Sequence, residues 1–308
     1  MTQTSQLYDR ALHVYAVFTA CCTLILLIAG ALVTSNDAAL AVPDWPLSYG
    51  SLTPPMVGGI LYEHTHRVIA AIVGLLTVVL AVWLWRRDPR PRVRWLGLAA
   101  VAAVLAQGVL GGLTVLLNLH YGMPVAHACL AELFFGTVIG LALFTSRWWQ
   151  SDLPLAEDRG SPSIHTLAVL NVGVIFLQVV LGAAFRHGDM SIGAHLVGAA
   201  VVLGMVTWTA VVLRRRFSGV RALGVARALL HAIVGVQILL GFGAWWSRLS
   251  TSGAPQPMSV MVALTVTHTV VGALTFAAAV VVVLLCYRLV RRGREAAYER
   301  TPQRAPIS

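Results

Sequence analysis

The sequence predicts an all-α integral membrane protein, with eight transmembrane helices arranged as two repeated four-helix bundles. Three observations carry that expectation: long apolar runs, arginines confined to alternate loops, and segments that recur in the same order in both halves. Hydrophobic residues make up 58% of the 308 positions and charged residues 11%, whereas a soluble globular domain carries roughly 25% charge. A run of about 20 apolar residues crosses a hydrocarbon core of about 30 Å as a helix. In lipid the backbone must pair within its own segment, so helix is the expected form.

The spans are expected at His13–Thr34, Leu61–Leu84, Trp95–Leu117, Met123–Phe144, His165–Phe185, Ser191–Leu213, Ala228–Trp246 and Val260–Cys286. The first is too long for a signal-peptide core and no small-residue cleavage site follows it, so it reads as a retained helix. All 22 basic residues are arginine, and 19 of them fall at the N-terminus, in the even-numbered loops or at the C-terminus. Among them are Arg86, Arg87, Arg90, Arg92 and Arg94, then Arg214, Arg215 and Arg216, then Arg288, Arg291, Arg292 and Arg294. The exceptions are Arg67, Arg186 and Arg248. The positive-inside rule then puts both termini in the cytoplasm of a cell with this protein in its inner membrane. The net charge of +10 follows from the same sorting and calls for no nucleic acid. Cys21, Cys22, Cys129 and Cys286 all fall inside expected helices, where no oxidising compartment pairs them.

Two pairs of segments resemble each other. Ala29-Gly30-Ala31-Leu32-Val33-Thr34-Ser35-Asn36-Asp37 matches Leu181-Gly182-Ala183-Ala184-Phe185-Arg186-His187-Gly188-Asp189, at the ends of spans one and five. Gln107-Gly108-Val109-Leu110-Gly111-Gly112 matches Gln237-Ile238-Leu239-Leu240-Gly241-Phe242-Gly243, in spans three and seven. The parallel order points to a duplicated four-helix unit, a common device in membrane proteins. Residues 1–150 are expected to form the N-terminal unit, 151–164 a cytoplasmic linker and 165–308 the C-terminal unit. The outer loops break the symmetry. Ser35–Ile60 is long and carries Pro43-Asp44-Trp45-Pro46 and Pro54-Pro55, which suits a lid or binding element. Its counterpart between spans five and six is short.

Ionisable residues within spans are functional candidates by default. His66, His127, His195 and His268 occupy the four even-numbered spans, one each, at similar depth below the outer surface. At about 1.5 Å per residue that depth is roughly 6–14 Å. Two imidazoles facing each other across a bundle can clamp heme iron from both sides. Small neighbours leave room for a porphyrin: Gly193, Ala194, Gly198 and Ala199 around His195, Gly272 and Ala273 after His268, and Ala126 and Ala128 beside His127. Zinc fits less well, because no histidine pair shows a spacing such as His-x-x-x-His. His13, His120, His165 and His187 lie at span ends or in loops, and His231 lies near the cytoplasmic end of span seven. His64 is about 200° around the helix from His66.

Glu63-His64-Thr65-His66-Arg67 is the densest polar cluster in any span. Glu63 and His66 stand at i and i+3 and share a face, so the carboxylate is expected to point at the cofactor that His66 ligates. Arg67 stands four residues after Glu63 and can pair with it or with a heme propionate. The second half has Ile192 and Leu196 at the matching positions, so only one of the two sites carries an acid–base group. Glu132, about 140° from His127, is expected to serve another contact.

These residues resemble the heme A synthase family. Glu63 to Arg67 match its Glu-x-x-His-Arg motif, the four histidines match its ligand layout, and Gly30-Ala31-Leu32-Val33-Thr34 and Pro43-Asp44-Trp45-Pro46-Leu47 resemble its first helix end and first outer loop. The resemblance implies oxidation of a heme O methyl group to the formyl group of heme A, for terminal oxidases. It implies that His66 and His127 hold heme O or heme A as substrate and product, with Glu63 catalytic and Arg67 beside the heme. It implies that His195 and His268 hold a permanent heme b, making all four histidines iron ligands. The partners it implies are heme O, a heme O synthase and a heme A-containing terminal oxidase, in a lipid bilayer; a homo-oligomer is compatible with the sequence. Many bacterial members of that family carry a cysteine pair in the first outer loop, where this sequence has Val42 and Ser48. A thiol step at those positions is therefore closed to this chain.

A diheme b-type electron-transfer cytochrome accounts for the four histidines equally well, but not for Glu63 in one half alone or a long loop over that half alone. A transporter suits the duplication, yet the polar groups lie near the outer surface rather than the midplane where transporter sites form.

Overall fold

The computed structural model describes residues 8–120 and 122–293; Arg294 and both chain termini lie outside the described residues. The described chain is α1 (Arg10–Ser35), α2 (Gly58–Arg87), α3 (Pro91–Leu116), α4 (Met123–Thr145), α5 (Arg147–Gln150), β1 (Ala156–Asp158), α6 (Ile164–Arg186), α7 (Ile192–Arg216), α8 (Arg221–Ser250), α9 (Ser259–Leu289) and β2 (Val290–Arg292). Apart from the single-turn α5, every helix is long and apolar enough to cross a membrane. The protein is a multi-pass membrane protein of the all-α class, and its fifth to eighth spans are α6 to α9. All four cysteines are free thiols.

Several helices outrun the apolar windows that mark them in the sequence. α2 and α8 each have 30 residues, about 45 Å at 1.5 Å per residue against a hydrocarbon core of about 30 Å. The extra turns carry arginines, such as Arg86 and Arg87 at the end of α2 and Arg221 and Arg227 at the start of α8. Asp9 caps α1 by accepting the Leu12 N–H (3.1 Å), and Ser163 caps α6 by accepting the Thr166 N–H (3.2 Å). Pro91 opens α3 and Pro124 lies in the first turn of α4, where a missing N–H is harmless.

α1 packs on α2 and α4, and α3 on α2 and α4; in the second half α6 packs on α7 and α9, and α8 on α7 and α9. One buried apolar cluster lies within α1–α4, including Val73, Leu80, Phe134 and Leu141, and another within α6–α9, including Leu167, Val206, Leu230 and Val282. The halves meet where α9 packs on α1 and α4 and α6 packs on α4. Phe135, Ala273 and Ala277 form a small core there, and Gly136 lets Phe276 and Val280 approach α4.

The stretch expected as a linker is tied down. β1 pairs in parallel with β2, placing Ala156 opposite Val290 and Asp158 opposite Arg292. The buried Asp158 carboxylate accepts the N–H groups of Ile164 (2.6 Å) and Gly160 (3.0 Å) and faces Arg216 at 3.5 Å. Arg288 of α9 donates to the Ser151 carbonyl (2.6 Å). At the opposite end of the bundle, Arg186 donates to the Thr34 carbonyl (2.7 Å), joining the end of α6 to the end of α1.

Candidate functional site

His66, His127, His195 and His268 sit on α2, α4, α7 and α9. Each meets a glycine on the helix preceding its own. A Cβ at Gly30 would lie 3.1 Å from Cε1 of His66, at Gly111 3.2 Å from His127, at Gly182 2.9 Å from His195 and at Gly241 2.8 Å from His268. Carbon atoms settle at about 3.5–4.0 Å, so a larger residue at any of these positions must displace the ring.

Four residues before each glycine stands Leu26, Gln107, Gln178 or Gln237, one turn away on the same helix face. The imidazole of each histidine faces the backbone of that residue. At His66, His127 and His268, Nδ1 is buried without a formed hydrogen bond. The glutamine side chains reach back toward the histidine helix. The Gln107 amide donates to the His127 carbonyl (3.0 Å), and the Gln178 amide donates to the His195 carbonyl (2.9 Å) and lies 3.0 Å from Nδ1 of His195. The Gln237 amide nitrogen lies 3.1 Å from the position a Cβ would take at Gly272, one turn beyond His268.

The rings of His195 and His268 have centroids 6.2 Å apart and planes at 83°. Two imidazoles bonded at about 2 Å to one metal between them have centroids about 6 Å apart, so this pair is spaced to share one ion. His66 and His127 are close enough to interact electrostatically. Among the described residues no group of three or more His, Cys, Asp or Glu is arranged to hold a bare ion. A pair of axial imidazoles instead suits an iron whose other positions a macrocycle fills.

Glu63 and Arg67 bond to each other and to the first outer loop. Glu63 is 3% exposed; its Oε1 accepts from Arg67 (2.5 Å) and its Oε2 accepts the Val42 N–H (2.9 Å). Arg67 also donates to the carbonyls of Asp44 and Leu47 (2.7 Å each) and Val42 (3.3 Å). The pair thus forms the i, i+4 ion pair that its spacing allows and fastens the long loop to α2. The physical reason is that a loop folded over a helix end needs partners for its own backbone groups.

That loop is built as a cover on the first half. The Trp45 ring lies against Gly112, where a Cβ would come within 2.6 Å of it, next to the glycine that faces His127. The N–H groups of Gly50 (2.8 Å) and Tyr49 (2.6 Å) donate to the Asp44 carboxylate and hold it below the usual carboxylate range. Ser48 bonds His64 (2.9 Å), so the histidine on the other face of α2 is a loop anchor. Val42 and Ser48 are both buried in this network. The remaining histidines make ordinary contacts where the structure pairs them: His13 with Thr145 (3.2 Å), and His165 edge-on to Tyr287. Glu132 is buried in α4, with Oε2 unpaired.

A family model described as a cytochrome oxidase assembly protein, COX15-CtaA, matches residues 56–192. A heme A synthase of Lysinibacillus sphaericus is 31% identical over 198 residues, which are 60% of this chain and 61% of that protein. A heme A synthase of Shouchella clausii is 32% identical over 59% of this chain and 62% of its own length. One of Symbiobacterium thermophilum is 27% identical over 76% of this chain and 87% of its own length. Over these stretches the chain is similar to heme A synthases. The match to the first two relatives spans about six-tenths of their length. The stretch matched by the family model contains Glu63, His66, Arg67 and His127 and ends before His195.

The glycine and glutamine partners of the histidines went unread in the sequence as such. The signal was there: Gln-x-x-x-Gly occurs at 107–111, 178–182 and 237–241, each on the helix before a histidine helix.

Proposed function

We propose that this chain oxidises a methyl group of heme O to the formyl group of heme A. The observation that carries the reading is the set of four histidines, each seated on a glycine, with one pair spaced for a shared iron. In this reading His66 and His127 hold heme O or heme A in the unit of residues 1–150. His195 and His268 hold a permanent heme b in the unit of residues 165–308, with residues 151–164 as the link. Methyl-to-formyl conversion removes four electrons, and the heme b supplies a one-electron relay when bound.

The chain's own residues position and enclose the substrate. Each ring faces the backbone of the preceding helix, and a bond from Nδ1–H to that backbone would leave Nε2 for a metal. Trp45 and the loop fastened by Arg67 exclude water from the first half. Glu63 is the acid–base group of the proposal: it stands one turn before His66, and its oxygens retain lone pairs that accept a proton. Its bonds to Arg67 and Val42 link its position to closure of the loop. The arginine-rich ends are cytoplasmic and the loop external, which sets both sites toward the outer surface. Heme O synthase would deliver substrate and a heme A-containing terminal oxidase would receive product.

The experiment is to purify the chain after co-expression with a heme O synthase and to weigh the extracted hemes. Heme b together with heme O, its hydroxylated form or heme A supports the proposal. Heme b alone supports the diheme electron-transfer cytochrome instead.

A further inference from the structure

Three of the four candidate iron ligands are backed by a glutamine, and the fourth is not. Gln107, Gln178 and Gln237 stand where Leu26 stands behind His66, four residues before the glycine that receives the ring. Gln107 and Gln178 bind the backbone of the histidine whose ring faces their own backbone, which clamps helix to helix at the ligand. The Gln237 side chain lies against Gly272, one turn after His268, and its backbone faces the His268 ring. The Oε1 atoms of all three glutamines are buried and unpaired. A histidine bonded to iron through Nε2 carries its proton on Nδ1 and needs an acceptor there. The Gln178 backbone faces the His195 ring where that acceptor is needed, and the Gln178 amide nitrogen, 3.0 Å from Nδ1, donates to the His195 carbonyl and holds the ring's helix in place. Leucine at position 26 supplies nothing, and only the backbone faces His66.

We propose that the three glutamines are positioning residues that lock His127, His195 and His268 as permanent ligands, and that Leu26 leaves His66 as the ligand that lets go when heme enters or leaves. The inference rests on the assignment of the histidines as heme ligands. It gives the two sites different jobs: both ligands of the C-terminal pair are locked, whereas the N-terminal pair has one fixed side and one release side. A substrate site must exchange its heme, and a relay must not. Release breaks one dative bond; the electron pair returns to Nε2 of His66, and no oxidant or reductant is required.

The test uses the full chain, co-expressed with a heme O synthase and purified in detergent. Apomyoglobin serves as the heme acceptor, and transferred hemes are distinguished by mass. The wild type is expected to lose its heme O or heme A before its heme b. Leu26→Gln should slow loss of the N-terminal heme by about tenfold, and Gln178→Leu should speed loss of heme b by about tenfold, the lower end of second-shell effects on metal affinity. Gln178→Leu should also shift the heme b midpoint potential, which a purely structural glutamine would leave in place. Release at wild-type rates in either variant overturns the inference. Should Leu26→Gln fail to accumulate, the apolar Gln178→Leu still decides it. If the wild type carries no bis-histidine heme, the ligand assignment itself falls and the inference with it; if both hemes are present and release is unaltered, only the inference falls.

Discussion

Gly241→Ala separates ligand geometry from helix stability, because the two respond in opposite directions. The new Cβ would sit 2.8 Å from Cε1 and 3.4 Å from Nδ1 of His268. Carbon contacts relax at about 3.5 Å, so the ring must retreat by about 0.7 Å. Functional donors need placement within about 0.5 Å, and errors of this kind lower metal affinity by about 10–100-fold. Alanine inside a helix meanwhile stabilises it by up to about 1 kcal/mol relative to glycine. Gly235 lies on the same helix with nothing within 4 Å of its added Cβ, so Gly235→Ala is the matched control. The assay is heme per chain, from absorbance of purified protein, alongside thermal unfolding. Gly241→Ala should accumulate normally, unfold no earlier than wild type and lose most of its heme b; Gly235→Ala should keep it. Full heme content and an unaltered spectrum in Gly241→Ala would refute the reasoning.

Glu63→Gln keeps an acceptor for the Val42 N–H but removes the charge facing Arg67; it should retain heme b and accumulate heme O or a hydroxylated form with little heme A, measured by mass in one purified sample. The depressed carboxyl of Asp44 contributes loop stability that is fully present above its unfolded value of about 3.9 and is lost as pH falls through the lower folded value. Protection of the Tyr49 and Gly50 amides, relative to the intrinsic exchange rate at each pH, should therefore fall only in acid for the wild type, but already at pH 7 for Asp44→Asn. A cysteine introduced at Ser51 should react with a membrane-impermeant reagent in intact cells, and lack of reaction would reverse the topology.

The eight helices were legible because hydropathy and arginine placement act along the chain, residue by residue. Helix ends were less so: α8 begins at Arg221, well before its apolar window, because a helix continues past hydrocarbon while its polar ends reach water. The β1–β2 pair was invisible, since three-residue strands at 156–158 and 290–292 are defined only by each other. The four histidines stood out because such residues are rare in spans, but their glycine seats depend on which helices become neighbours. The partners of Glu63 depend on the loop as well as on its helix face. Its i, i+3 relation to His66 is real, yet the returning loop brings the Val42 N–H and Arg67 brings a guanidinium, and those two partners determine where the carboxylate points.

The most direct test of the central claim is the number and mass of hemes bound by three proteins: the wild type, His66→Ala with His127→Ala, and His195→Ala with His268→Ala. All are co-expressed with a heme O synthase, and chain content is measured in the same samples. Two separate bis-histidine sites require that the first double variant keep heme b and lose heme O and heme A. They require that the second lose heme b while retaining a heme of the O or A type. Equal heme content and composition in all three proteins would contradict the claim that these histidines hold the hemes.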